Sequence, residues 1–109
     1  GLPFTEVASR WPDLSRRYWE EPGHIAPPNG ESWITAATRI NAAADALAAA
    51  HPGQDIIAVA HFGAILTQVQ RAAAIFPYEA LAQDIANLSV TCLQQDGGGW
   101  RLLGVNHCP

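Results

Sequence analysis

Methionine is absent from this sequence of 109 residues, and positive charge is scarce. Six Lys plus Arg residues stand against ten Asp plus Glu residues, for a formal net charge of -4. No basic block and no alternation of basic and aromatic residues occurs, so the electrostatic footprint of a nucleic-acid-binding protein is missing. Nor is there an apolar run of the ~20 residues that a membrane span needs, or a secretory signal pattern at the N-terminus. We therefore expect neither nucleic acid nor membrane as a partner.

Cysteine is also scarce, and position 1 is glycine. Cys92 and Cys108 form no C-x-x-C pair, which argues against a zinc knuckle or a redox motif, and we expect two free thiols in the cytoplasm. The sequence contains no metal-ligand cluster, so we expect no metal and no cofactor. Because a translated protein begins with Met unless it is processed, we expect the chain to be a segment of a longer protein.

The composition is that of a globular protein. Apolar residues make up 49% and charged residues 15%, and nine glycines and eight prolines stay below the ~25 to 30% typical of low-complexity disorder. This length fits one small domain or part of one. No internal repeat is visible.

Helical patterns dominate the first half of the chain. The segment 13–20 is predicted to be a helix, and the breaker-rich run EPGHIAPPNG, residues 21–30, a loop. A longer helix is predicted from Ser32, its N-cap, to Gly53, its stop signal. Its apolar face is defined by a spacing of four, three, four and three residues: Trp33, Ala37, Ile40, Ala44 and Leu47.

An apolar run and a second helix follow. Residues 55–60, DIIAVA, show no alternation, which is typical of a strand buried on both faces of a parallel sheet. A helix is predicted from about Ala64, a short helix at 78–82, and a hairpin whose strands, 88–95 and 100–105, flank the turn 96–99. We predict an α/β fold of layered α/β/α type with a mostly parallel sheet.

His61 is the main candidate for chemistry. It follows the predicted strand, and ligands of α/β sheets bind at the carboxyl ends of strands. The backbone amides of Phe62, Gly63 and Ala64 would open the next helix, whose positive dipole end favours an anion such as phosphate, and Gly63 would permit close approach. A lone histidine in apolar surroundings is equally often a structural residue, so position alone leaves both readings open.

Four segments, in order, resemble the histidine phosphatase (phosphoglycerate-mutase-like) superfamily. VAHFGAI, 59–65, is similar to the segment that carries its second catalytic histidine, and GESW, 30–33, to the opening of the preceding long helix. Arg39 stands where the family often has an arginine. ANLSVT, 86–91, resembles the entry to the next strand, and WRLLGVN, 100–106, the last strand. Together they cover nearly the whole chain.

The resemblance implies a C-terminal part, 1–109, of a single histidine phosphatase domain that lacks the N-terminal strand and the R-H-G motif with its nucleophilic histidine. His61 is then the second active-site histidine, which stabilises the transferred phosphoryl, and Phe62 and Gly63 contribute to substrate binding. Phe62 departs from the glycine that often follows this histidine. Gly1 corresponds to the glycine of a W-E-G segment, which places the catalytic acid upstream.

The implied function is metal-independent hydrolysis of a small-molecule phosphate ester through a phosphohistidine. The 109 residues alone are expected to be inactive. Two alternatives stay open: a phosphoglycerate mutase-type phosphotransferase, and a non-catalytic α/β module that binds phosphate esters or a protein. An α/β-hydrolase would need its nucleophilic serine at Phe62, so that nucleophile is missing. The sequence does not determine the substrate or the oligomeric state.

The remaining candidates have ordinary structural interpretations. Glu31 is expected to stabilise a helix start rather than to act as an acid, and His51 to stabilise a helix end. His24 is expected in a solvated loop and His107 in a frayed tail. Trp33 and Trp100 are expected in the core.

Overall fold

The computed structural model describes residues 3–97 and 99–109, apart from the side chain of Phe4. Five helices precede one hairpin. The elements are α1 (Phe4–Arg10), α2 (Pro12–Glu20), α3 (Trp33–Ala50), α4 (Phe62–Ala73), α5 (Pro77–Leu81), β1 (Val90–Asp96) and β2 (Gly99–His107). No helix within these residues is both long and apolar enough to cross a membrane.

The long helix α3 forms as its sequence predicts. Ser32 is its N-cap, and the Ser32 Oγ accepts a hydrogen bond from the Thr35 backbone N–H at 3.1 Å. This bond satisfies one of the amides that the first turn leaves without a partner. The predicted apolar face of α3 is buried near the start of the helix, where Trp33 is 6% exposed. It is exposed to solvent near the end of the helix, where Leu47 is 44% exposed.

The core lies where α3, α4 and α5 meet. Trp33 and Ala37 of α3 pack against Leu66 of α4 and Ala80 of α5. The Trp33 indole N–H donates to the Gln70 side-chain oxygen, so the one polar atom of this ring is satisfied inside the cluster. The expectation that Trp33 belongs to the core is therefore confirmed.

The predicted hairpin is present. β1 and β2 pair antiparallel, with Val90 opposite His107 and Asp96 opposite Gly99. Gly97 has φ +58°, a left-handed conformation that glycine adopts without the steric cost of a Cβ. Gly98, part of the predicted turn, lies outside the described residues. His107 is paired in β2, so the expectation of a frayed tail is wrong.

The predicted central strand is not observed. Residues 54–60 form neither helix nor strand, and the side chains that were expected to be buried are exposed, Ile57 at 95% and Val59 at 99%. A strand exists only where a second strand supplies hydrogen-bond partners, and within residues 3–97 and 99–109 the only ladder is the antiparallel one between β1 and β2. The described residues therefore do not show the predicted mostly parallel, layered sheet.

Candidate functional site

His61 lies at the point where the irregular segment meets α4. It is the N-cap residue, with φ -85° and ψ 158°, and its side chain does not cap the helix. Its backbone carbonyl accepts from the Ile65 N–H at 3.1 Å. The residue is exposed. The imidazole is thus open to a ligand from solvent, whereas a purely structural histidine would be expected to be buried.

The backbone amides at the start of α4 follow His61 directly. The helix begins at Phe62, two residues earlier than predicted. The amides of Phe62, Gly63 and Ala64 belong to the first turn, where no carbonyl four residues earlier lies within the helix. The positive end of the dipole of this 12-residue helix therefore lies beside the imidazole. An anion in front of Gly63 would meet N–H donors that directly follow His61 in the chain.

Gly63 has open space in front of it. A Cβ built on this residue meets no heavy atom within 4 Å. The chain itself therefore does not require glycine at this position, and any requirement for it would have to come from a ligand that approaches the backbone closely.

Glu31 is held in an ion pair instead of facing His61 as a proton donor. Arg39 donates two hydrogen bonds to its carboxylate, at 2.8 and 3.1 Å. The hydrogen bond from Arg39 holds the pKa of Glu31 below its usual value, whereas a general acid needs a raised one. The pKa of Tyr18 is raised mainly by burial of its own hydroxyl and, to a smaller extent, by the negative charge of Glu31. The expectation that Glu31 is not the catalytic acid is consistent with this geometry.

The other histidines lie on separate elements. His24 is exposed in the loop 21–30, as predicted. His51 is the C-cap of α3, where its backbone N–H donates to the Leu47 carbonyl at 3.2 Å. His107 ends β2. Among the described residues, no group of three or more His, Cys, Asp and Glu side chains is arranged to hold a metal ion.

Comparison with known proteins decides the family. Residues 1–107 match the sequence profile of the histidine phosphatase superfamily (branch 1). The chain belongs to the histidine phosphatase superfamily. The fold can be compared with the structure of Bacillus stearothermophilus YhfR, which superposes with a TM-score of 0.91 at 20% sequence identity. The superposition covers 100% of this chain and 55% of that one. The fold is therefore phosphoglycerate-mutase-like.

Curated relatives occur in mycobacteria. The "Bifunctional protein Rv2228c" of Mycobacterium tuberculosis is 32% identical over 99 residues, which are 89% of this chain and 27% of that protein. The "Uncharacterized protein Mb2253c" of Mycobacterium bovis matches with the same identity and coverage. The chain thus spans about a quarter of the length of the curated relatives it matches.

The segments that resemble the superfamily fall on defined elements of the chain. GESW leads into α3, and VAHFGAI contains His61 and the start of α4. ANLSVT leads into β1, and WRLLGVN lies within β2. The position that corresponds to a W-E-G glycine, Gly1, lies outside the described residues. His61, Phe62 and Gly63 are contiguous and stay together at one helix end.

The sequence did not predict the aromatic neighbours of Phe62. Trp19 of α2 and Tyr78 of α5 line a groove with it, although 43 residues separate Trp19 from Phe62 in the chain. No local pattern reports such a contact. The one available signal was Phe62 itself, a large apolar residue at a position where the family often has glycine.

Proposed function

We propose that the full-length protein that contains this chain is a phosphomonoesterase that works through a phosphohistidine. The observation that carries the proposal is the exposed His61 at the N-terminus of α4, in a chain that belongs to the histidine phosphatase superfamily. Phosphoryl transfer is catalysed chiefly by positioning and by electrostatic stabilisation of the transferred group. The imidazole and the first amides of α4 are suited to that task.

The proposed reaction has two steps. A histidine nitrogen attacks phosphorus and the ester P–O bond breaks, while an acid gives a proton to the departing alcohol; water then attacks the phosphohistidine and releases phosphate. His61 donates a hydrogen bond to the phosphoryl oxygens in both steps. The 109 residues contain no R-H-G segment, so we assign the nucleophile and the acid to other parts of the full-length protein.

The test is hydrolysis of an aryl phosphate by the full-length protein in the presence of a chelator. We expect turnover to persist and acid quenching to trap a phosphohistidine. Complete loss of activity on chelation contradicts the proposal. Transfer of the phosphoryl to phosphoglycerate, with little release of phosphate, would instead support a mutase, and tight ester binding without turnover would support a binding module.

We also propose that the protein acts in the cytoplasm. Cys92 and Cys108 are both free and exposed, which fits a reducing compartment. Localisation of the tagged full-length protein in fractionated cells tests this, and recovery outside the cytoplasm contradicts it.

A further inference from the structure

Buried polar side chains connect α3 to the first turn of α4. Four consecutive residues of α4 are buried, and two of them, Thr67 and Gln68, are polar, with exposed fractions of 2% and 9%. A polar group that leaves water loses its hydration, so burial is tolerated only where hydrogen bonds replace it. The partners of these two side chains therefore show which parts of the protein they hold in place.

Gln68 joins the two helices. Its Nε2 donates one hydrogen bond to the Asn41 Oδ1 of α3 at 2.9 Å and one to the Thr67 Oγ1 at 3.2 Å. Its Oε1 accepts a hydrogen bond from the Arg71 guanidinium at 2.8 Å. Both Nε2 hydrogens and the oxygen of this amide thus have partners, which fixes its orientation against α3.

Thr67 extends the connection to the first turn of α4. Its oxygen accepts from Gln68, and its hydroxyl donates to the Ala64 carbonyl oxygen at 2.6 Å. That carbonyl and the Ile65 N–H belong to one planar peptide group. The Ile65 N–H donates to the His61 carbonyl at 3.1 Å. A continuous series of hydrogen bonds therefore runs from α3 to the backbone of His61.

A second threonine in the protein makes the same kind of bond in a different setting. The Thr38 hydroxyl donates to the Ile34 carbonyl within α3 at 2.9 Å, and Thr38 is exposed. Such bonds to a carbonyl three or four residues earlier are common in helices and do not by themselves indicate a function. Thr67 differs because its hydroxyl is buried and held by Gln68, and because its acceptor lies three residues after His61.

We infer that Thr67 is a positioning residue for the proposed phosphoryl site. The inference rests on the proposed function and deepens it, because it identifies the group that holds His61 and the first amides of α4 in place. Preorganised donors are effective only when their own supports are fixed, and a displacement of about 1 Å can lower a rate severely. Thr67 is 2% exposed, so it acts through the backbone of His61 and not by contact with the substrate.

Two substitutions separate positioning from packing. Thr67→Val keeps the shape of the side chain and removes the hydroxyl, whereas Thr67→Ser keeps the hydroxyl and removes a buried methyl group. We measure kcat and KM for phenyl phosphate in the full-length protein, at a temperature at which each variant is folded, together with the Tm. Thr38→Val removes the same kind of bond on the exposed side of α3 and is the matched control.

We expect Thr67→Val to lower kcat about tenfold or more with little change in KM, and Thr67→Ser to keep kcat within about threefold although its Tm falls. Thr38→Val should change neither kinetic constant. Wild-type kcat in Thr67→Val overturns the inference, as does an equal loss of kcat in the serine variant or in the control. If Thr67→Val does not fold, Gln68→Met removes the bonds to Asn41 and Thr67 and is judged by the same loss of kcat.

Two NMR measurements keep this inference separate from the proposed function. If the wild type hydrolyses no ester, the proposed function fails, and the inference is decided by binding of inorganic phosphate and by hydrogen exchange of the Ile65 amide. We then expect weaker phosphate binding and faster exchange in Thr67→Val than in Thr67→Ser, because the first turn of α4 is held less firmly. The absence of either difference overturns the inference.

Discussion

The Trp100 indole N–H donates a hydrogen bond to the Asp45 carboxylate at 3.0 Å and so joins the hairpin to α3 across 55 residues of chain. Arg71 of α4 completes the arrangement. It donates to the same Asp45 oxygen at 2.9 Å, and its guanidinium carbon lies 5.0 Å from the centre of the Trp100 ring, within range of a cation–π contact. Three elements that flank the core are thus tied together by one carboxylate.

The first prediction concerns the pH dependence of this link. The hydrogen bond from Trp100, followed by that from Arg71, lowers the pKa of Asp45 below its usual value of 3.8. A lowered folded-state pKa contributes stability above the unfolded-state pKa, and the contribution is lost as the pH falls through the folded-state value. We therefore expect Asp45→Asn to lower the Tm at pH 7 and the difference from wild type to shrink below about pH 4.

Thermal unfolding from pH 2.5 to 7 measures this effect. Asp84→Asn, at an exposed carboxylate, is the matched control and should lower the Tm less at pH 7. Trp100→Phe keeps a ring over Arg71 but removes the N–H donor, so an NMR titration should show the pKa of Asp45 moving back toward its usual value. An Asp45→Asn difference that is unchanged at pH 2.5 would mean that the carboxylate charge contributes nothing.

A structural feature could be predicted from the sequence where it depends on residues that are close together in the chain. The Ser32 cap and the inward face of α3 depend on residues three or four apart. The cap is confirmed, and the face is buried at Trp33 and Ala37 but exposed at Leu47. The apolar run 55–60 contains side chains that favour burial, but it carries no information on which strand would pair with it, and its residues are exposed in the described structure. Side-chain groupings such as Trp19 with Phe62 depend on how distant helices pack, which periodicity does not report.

The second prediction uses Gly63 to separate folding from function. Because a Cβ at this position meets nothing within 4 Å, and alanine favours helix by up to about 1 kcal/mol over glycine, we expect Gly63→Ala to keep or slightly raise the Tm. If a phosphoryl must approach the Gly63 amide, the same methyl group should lower kcat/KM of the full-length protein about tenfold or more. Ala43→Gly in the exposed face of α3 is the control, with a lower Tm and unchanged kinetics. A Gly63→Ala protein with wild-type kcat/KM would remove Gly63 from the substrate-binding set.

The third prediction concerns the 109-residue chain when it is produced alone. Ile57 and Val59 expose apolar side chains on a segment with no ladder partner in the described structure, a combination that favours association between chains. We expect the isolated chain to self-associate. A double variant with Ile57→Thr and Val59→Thr should self-associate less. Leu88→Asn, at a residue that is 96% exposed elsewhere and whose φ of 64° asparagine tolerates, is the control. Sedimentation over a range of concentrations gives the measurement, and equal self-association of all three proteins contradicts the prediction.

The same isolated chain should be catalytically inactive. Without an R-H-G segment it lacks the proposed nucleophile, and a positioned second histidine provides no covalent route. The measurement is phosphate release from an aryl phosphate, with His61→Ala of the same chain as the control. Turnover above that control would show that the 109 residues carry a nucleophile of their own.

The last prediction tests whether His61 acts on the transition state. The imidazole is exposed and does not cap α4, so its removal should cost the fold little. Loss of one preorganised donor to a transferring group typically lowers turnover ~10² to 10³ fold. We expect His61→Ala in the full-length protein to lower kcat by that factor while changing KM and Tm only slightly. A structural role predicts the reverse, a lower Tm with near-normal turnover. His51→Ala, at the exposed C-cap of α3, serves as the control and should leave kcat unchanged. If His61→Ala keeps kcat within about threefold, an effect of only ~0.7 kcal/mol on the barrier, the catalytic assignment is wrong.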